Sequence, residues 1–227
     1  MKKKFQLVIM PIITIIISVV LGCLSGDYFW GVITLIFGFL NAYYMAIGKW
    51  YNYVFGLLFA LSYAYVCGKN GLFGWGIFTF IFYVPSQIMG MISWNKNKCD
   101  DVVEMRSLNL KKSFFVCACL VIGSSFFGYL LSLIPSQQLS FLDGTTQIVN
   151  VCGIVLSLFR FREAWYIWLI NNVLDLSIWI INAMNSNSDA YMMLVTSIMY
   201  LVMNIIGVIS WIKIEREQKK SIYEEKY

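Results

Sequence analysis

Tyr83–Lys96 reads YVPSQIMGMISWNK, and Tyr200–Lys213 reads YLVMNIIGVISWIK. Each residue of the second stretch lies 117 positions after its counterpart (83 to 200, 94 to 211). Tyr83 pairs with Tyr200, Gln87 with Asn204 and Gly90 with Gly207, and Ile92-Ser93-Trp94 recurs as Ile209-Ser210-Trp211. Both copies close a long apolar segment, so the repeat belongs to a membrane-embedded chain. Polar residues recurring at one depth of two apolar helices indicate a duplicated unit. Internal repeats in polytopic membrane chains mark transporters, whose sites form near the bilayer midplane.

Composition supports this reading. Of 227 residues, 59% are hydrophobic and 13% charged, and the mean hydropathy is +0.71. A soluble domain of this length has too little interior to hide that apolar surface. Each spanning helix takes roughly 20 apolar residues, so the chain has room for eight spans and none for a separate catalytic domain. The net charge of +5 reports orientation in the membrane rather than nucleic-acid binding. There is no histidine, and the six cysteines (Cys23, Cys67, Cys99, Cys117, Cys119, Cys152) form no CxxC pair. Neither a zinc nor a haem site is expected, and no cofactor is implied. Within apolar helices these cysteines are expected to act as small packing residues.

The eight spans are Phe5–Leu24, Tyr28–Ile47, Tyr51–Cys67, Leu72–Trp94, Ser113–Ile134, Phe141–Phe159, Ala164–Ala183 and Ala190–Ile212. Met1-Lys2-Lys3-Lys4 and the apolar run behind it imitate a signal peptide. That run, however, exceeds the roughly 7–15 residues of a signal core, so it is assigned as the first span. Turns rich in Gly, Asn, Ser and Asp separate the spans: Ser25-Gly26-Asp27, Gly48-Lys49-Trp50, Gly68-Lys69-Asn70-Gly71 and Met184–Asp189. All Lys and Arg except Lys69 fall on the side of the termini, sixteen against one. Both termini are therefore expected in the cytoplasm of a multi-pass cell-membrane protein. The longest loop, Asn95 to Lys112, is mixed in charge (Asp100, Asp101, Glu104) and is expected to be a solvated connector.

The expected organisation is an extra N-terminal helix (1–27) and a first three-helix repeat (28–94). A loop with a linking helix (95–140), a second three-helix repeat (141–212) and a cytoplasmic tail (213–227) follow. Earlier in the repeats the offset shortens to 115, pairing Trp50-Tyr51 with Trp165-Tyr166, Ser62 with Ser177 and Asn70 with Asn185. One linking helix between two three-helix units makes them parallel repeats, related by an axis along the membrane normal.

Span seven, AWYIWLINNVLDLSIWIINA, carries the chemistry. Trp165, Trp168, Asn172, Asp175 and Trp179 follow steps of three and four and so share one helical stripe. Asn and Asp facing lipid would be costly, so this stripe is expected to face the bundle interior. Asp175 is the only acidic residue deep in the membrane, and no span supplies a Lys or Arg to pair it. Such a carboxylate must protonate, reach water or meet a cation from outside; the alternative is a neutral Asp bonded to Ser or Asn on a neighbouring helix. Further inward candidates are Gln147 and Asn150 in span six, Tyr83 and Gln87 in span four, and Tyr200 and Asn204 in span eight. Asn41 and Tyr44 carry a weaker signal. Pro85, two residues before Gln87, removes a backbone donor and kinks its helix. Singly, such amides are glue between helices. Together they describe a cavity of aromatic faces, amides and one carboxylate, suited to a flat neutral or cationic molecule and unsuited to phosphate.

The stretch Arg160-Phe161-Arg162-Glu163-Ala164-Trp165-Tyr166-Ile167-Trp168-Leu169-Ile170-Asn171-Asn172, with its WxxWxxxN pattern, resembles the PnuC family of vitamin transporters. The resemblance covers Tyr28 to Ile212. It implies an all-α membrane fold of eight helices in a 3+1+3, SWEET-like layout plus the N-terminal helix. It further implies a homotrimer that takes up nicotinamide riboside by facilitated diffusion, feeding NAD biosynthesis, with retention by phosphorylation in the cytoplasm. Trp165, Trp168 and Asn172 occupy the motif positions and are the implied substrate contacts. The other candidates follow from depth and repeat symmetry.

Other functions remain open on the residues alone. Thiamine and riboflavin suit the same cavity. A SWEET-like sugar carrier would favour amides with fewer aromatic residues, and the PQ dipeptide of those relatives is only approached by Pro85-Ser86-Gln87. A receptor that binds without flux is a further alternative. An intramembrane serine protease lacks its base in a chain without histidine. No enzyme activity is expected.

Overall fold

The computed structural model describes residues 2–25, 29–69, 77, 79–99, 102–135, 139–184 and 190–224. Eight α-helices are present among them, and the chain divides into two compact units, Met1–Glu104 and Met105–Tyr227. Outside the described residues lie Gly26-Asp27, Asn70-Gly71, most of the first half of span four, Asp100-Asp101, Asn185–Asp189 and Lys226.

The first unit comprises α1 (Lys2–Ser25), α2 (Trp30–Ala46), α3 (Asn52–Lys69) and α4 (Val84–Lys96), each packed on its neighbour in the chain. A π-helical segment, Thr79–Tyr83, runs directly into α4. Pro85 is the physical cause: it has no N–H for the carbonyl four residues back, and its ring crowds that carbonyl. The wide turn absorbs the misfit. Ser86 Oγ donates to the Phe82 carbonyl at 2.7 Å, satisfying an acceptor nearby. The expected kink is thus a π-bulge that ends at Tyr83.

The second unit comprises α5 (Leu110–Ser132), α6 (Ser140–Leu158), α7 (Ala164–Met184) and α8 (Ala190–Glu224), again packed pairwise in chain order. Its core joins Val149 and Leu156 of α6 to Ala164 and Ile167 of α7. α8 runs through Glu224 over 35 residues, about 52 Å at 1.5 Å per residue. Residues 213–224 therefore extend a helix. Among the described residues, four helices (α5 to α8) are long and apolar enough to cross a membrane, and α1, α2 and α3 carry shorter apolar stretches.

One turn is built twice. Between α2 and α3, Ile47 N–H donates to Tyr43 O, Gly48 to Met45, Lys49 to Tyr44, Asn52 to Lys49, Tyr53 to Trp50 and Val54 to Tyr51. Between α6 and α7 the same six bonds recur 112 positions later (43 to 155, 54 to 166), with lengths matching within 0.1 Å. Gly48 (φ 71°) and Arg160 (φ 67°) are both left-handed at the same place. Gly tolerates this freely, whereas Arg160 accepts a backbone cost. The turns therefore correspond at 112, not at the 115 given by matching Trp50-Tyr51 to Trp165-Tyr166. Tyr53, not Trp50, is the counterpart of Trp165.

The loop expected to be a solvated connector is instead a docked strap. β1 (Lys98–Cys99) and β2 (Val102–Val103) pair antiparallel. Val103 is 1% exposed, and its N–H donates to the Gly48 carbonyl. In the second unit Arg106 N–H donates to the Arg160 carbonyl, and the Arg106 carbonyl accepts from Arg162 N–H. Each left-handed residue leaves its carbonyl without a helical partner, and a strap residue supplies the donor. A polar sequence concealed the docking because the contacts are made by backbone.

Candidate functional site

α7 presents its aromatic and amide stripe to α6 and α8. Trp168 lies half-buried against Gly153 of α6, where a Cβ would stand 2.9 Å from Trp168 Cε2. Its Nε1 donates to Ser157 Oγ at 3.0 Å, and that hydroxyl donates to the Gly153 carbonyl at 2.6 Å. The indole is thereby fixed in position and in rotation.

One helical turn on, Asn172 is 4% exposed and held by α8 at both ends of its amide. Its Nδ2 donates to the Ser197 carbonyl at 3.4 Å, and its Oδ1 accepts from Asn204 Nδ2. Asn204 Nδ2 also donates to the Trp168 carbonyl at 3.1 Å. Asp175 follows on the same stripe. One of its carboxylate oxygens accepts from Ser197 Oγ and the other from Trp179 Nε1 at 3.2 Å. Among the described residues no Lys or Arg pairs with it, so Asp175 holds to neutral donors, as the alternative of a Ser partner anticipated. Trp168, Asn172, Asp175, Trp179 and Asn204 thus form one polar-aromatic cluster of roughly 16 Å along α7.

Trp165 lies apart from this hydrogen-bonded cluster. It is 2% exposed, packed edge-on against Trp211 with ring centroids 5.8 Å apart. Gly207 admits it: a Cβ there would stand 2.1 Å from Trp165 Cζ3. The first unit repeats the arrangement with Tyr53, Gly90 and Trp94, whose ring centroids are 5.2 Å from Tyr53. Gly90 and Gly207 therefore serve close packing, one of the two roles such glycines play in membranes. Gln147 and Asn150 on α6 and Tyr200 on α8 are half-buried. Tyr83 and Gln87 belong to the first unit. Tyr83 is half-buried beside Phe59, and Gln87 is 6% exposed.

Sequence reasoning missed Ser157 and Ser197, buried hydroxyls that orient Trp168 and Asp175. Serines in apolar helices normally bond their own helix, as Ser177 does to the Val173 carbonyl. Only the facing helix reveals the second partner.

Beyond the bundle end of α7, Arg162 pairs with Glu163 at 3.1 Å and with Glu215 of the α8 extension at 2.5 Å, and Lys219 joins Glu215 at 2.7 Å. Hydrogen bonds donated to Glu215 and Glu163 hold the Arg162 guanidinium above its ordinary range. Burial pushes Glu215 up, but bonds from Lys219 and Arg162 outweigh it and leave the carboxyl below its ordinary range. The strap joins here too: Gln218 accepts from Met105 N–H and Glu163 from Leu108 N–H, both at 3.1 Å.

Comparison with known proteins agrees with the helical bundle. The chain is 29% identical over 204 residues to the nicotinamide riboside transporter PnuC of Neisseria mucosa, covering 87% of this chain and 77% of that one. It is 27% identical over 194 residues to the transporter of the same name from Haemophilus influenzae, covering 84% and 82%. A crystal structure of the vitamin B3 transporter PnuC matches with a TM-score of 0.75 at 28% identity, covering 94% of this chain and 92% of that one. With residues 28–213 matching the family described as nicotinamide mononucleotide transporter, this multi-pass membrane protein belongs to that family of transporters.

Proposed function

We propose that this chain carries nicotinamide riboside across the cell membrane by facilitated diffusion. The relatives named above carry that substrate in their names. The single observation that supports it here is the α7–α8 cluster, where indoles, amides and one carboxylate meet with no Lys or Arg bonded to them among the described residues. Aromatic faces and a carboxylate attract a flat pyridinium cation. A phosphate would meet Asp175 with no compensating charge, so the cluster favours the nucleoside over the mononucleotide.

In this reading Trp168, Asn172, Asp175, Trp179 and Asn204 contact the substrate, with Trp165 at the inner edge of the stripe. Gln147, Asn150, Tyr200, Tyr83 and Gln87 contribute along the transport path. Residues 28–94 and 141–212 act as parallel three-helix repeats that rock to give alternating access. The shared turn at offset 112 supports the duplication. Both termini face the cytoplasm, in line with the charge asymmetry, and the assembly is a homotrimer, as the family resemblance implies.

Intrinsic tryptophan fluorescence of the purified chain tests the assignment. Nicotinamide riboside is expected to quench saturably, the mononucleotide to leave the signal unchanged, and Asn172→Ala to abolish the response. Quenching by thiamine or riboflavin instead would reassign the substrate. A response to none of the four would refute vitamin transport.

A further inference from the structure

The first unit holds an amide in a place that has no side chain to confine it. Gly56 is buried on α3, and a Cβ there would stand 2.0 Å from Gln87 Oε1, with Gln87 Cδ and Asn41 Nδ2 each at 2.7 Å. The Gln87 amide therefore occupies the space over the bare backbone of α3 at Gly56, beside Asn41 of α2. Asn41 Nδ2 is committed to the Asn52 carbonyl at 2.9 Å. Gln87 is 6% exposed, and its Oε1 has no hydrogen-bond partner among the described residues. Buried acceptors are almost always matched, and an unmatched one at a polar cluster calls for an explanation.

The second unit sharpens the contrast. Asn204, which pairs with Gln87 at offset 117, is bonded to the Trp168 carbonyl and to Asn172. Trp168 stands 112 positions after Gly56. Where α7 carries an indole and the amide nitrogen donates to protein, α3 carries no side chain and the Gln87 acceptor is left open.

We propose that Gly56 is a specificity-determining residue: by leaving room for the Gln87 amide it presents Oε1 as an acceptor for a ligand N–H or O–H. This rests on the reading of Gln87 as a substrate contact. A ligand carboxamide can donate to that oxygen. A carboxylate in its place would set acceptor against acceptor and leave both unmatched. Gly56 thus favours the carboxamide form of a pyridine nucleoside over its carboxylate form.

The test titrates the full-length chain with nicotinamide riboside and nicotinic acid riboside, using tryptophan fluorescence. Native protein, Gly56→Ala, Gln87→Ala and the double variant are compared. The native chain is expected to prefer the carboxamide. Gly56→Ala, whose methyl displaces the amide, should lose that preference as fully as Gln87→Ala does, and the double variant should be no worse than Gln87→Ala. An unchanged preference in Gly56→Ala beside a lost one in Gln87→Ala overturns the role of Gly56 and leaves the Gln87 contact standing. Binding unchanged in Gln87→Ala sinks the contact itself, and equal native binding of the two nucleosides sinks the proposed chemistry. Additive losses in the double variant would show that Gly56 acts through packing alone. Should Gly56→Ala fail to fold, Gly56→Ala/Gln87→Asn takes its place, since the shorter amide clears the methyl. Recovered carboxamide preference there supports the assignment, and its absence overturns it.

Discussion

Replacing Asn204 by leucine probes the cluster at its hinge. The two side chains share four heavy atoms branched at Cγ, so the outline is similar though leucine is bulkier, and hydrogen bonding is lost. Two bonds disappear, one to the Trp168 carbonyl and one to Asn172 Oδ1. Each neutral bond contributes about 1 kcal/mol net, and an acceptor left buried and unmatched costs about 1–3 kcal/mol. The Trp168 carbonyl keeps its place in the helical ladder, so the larger effect falls on Asn172, which is 4% exposed. Its amide then turns away from the orientation that Ser197 and Asn204 impose together. Stability should fall by about 2 kcal/mol. Nicotinamide riboside should bind about tenfold more weakly, equivalent to about 1.4 kcal/mol. Thermal unfolding reads the first quantity and fluorescence titration the second. A folded Asn204→Leu protein that binds within about twofold of native would refute the idea that Asn204 orients the binding amide.

Two further outcomes follow from the packing and the charges. Gly207→Ala drives a methyl into Trp165, which is 2% exposed and cannot swing aside; overpacking should lower stability by about 1–3 kcal/mol, visible as a lower Tm. Glu215 sits below its ordinary value of 4.5, so its contribution is complete above that value and is lost as pH falls through the lowered one. Arg162 is held above its ordinary range and stays charged throughout. Limited proteolysis of the strap should therefore be constant at neutral and mildly acidic pH and accelerate only below 4.5. Glu215→Gln should accelerate it at every pH and flatten the profile.

Much of this was legible in the sequence, and the rest was hidden for physical reasons. The 117-residue repeat located Gln87 and Asn204, and the three-four spacing located Trp168, Asn172, Asp175 and Trp179, because apolar helices expose their polar exceptions. Helix boundaries followed from apolar length in the other spans whose ends are described; span four begins outside the described residues, and the charged end of α8 continues as helix once Glu215 finds Arg162. The turn register was not legible. Trp-Tyr recurs at offset 115 by residue identity, whereas backbone hydrogen bonds repeat at 112, and Gly48 and Arg160 share a conformation without sharing chemistry. The π-bulge before Pro85 was hidden as well, since proline announces a missing bond but not how the chain accommodates it.

The strap has a consequence for how the protein can be made. Its bonds separate between Glu104 and Met105: Val103 closes the turn at Gly48, while Arg106 closes the one at Arg160. Each closure is thus encoded on the same side of that peptide bond as the turn it seals. During synthesis the earlier half gains its seal when residue 103 emerges, without waiting for anything downstream. The later half brings its own seal at its very first residues. A gene split at this junction would give two polypeptides, neither of which has surrendered its closing strand to the other.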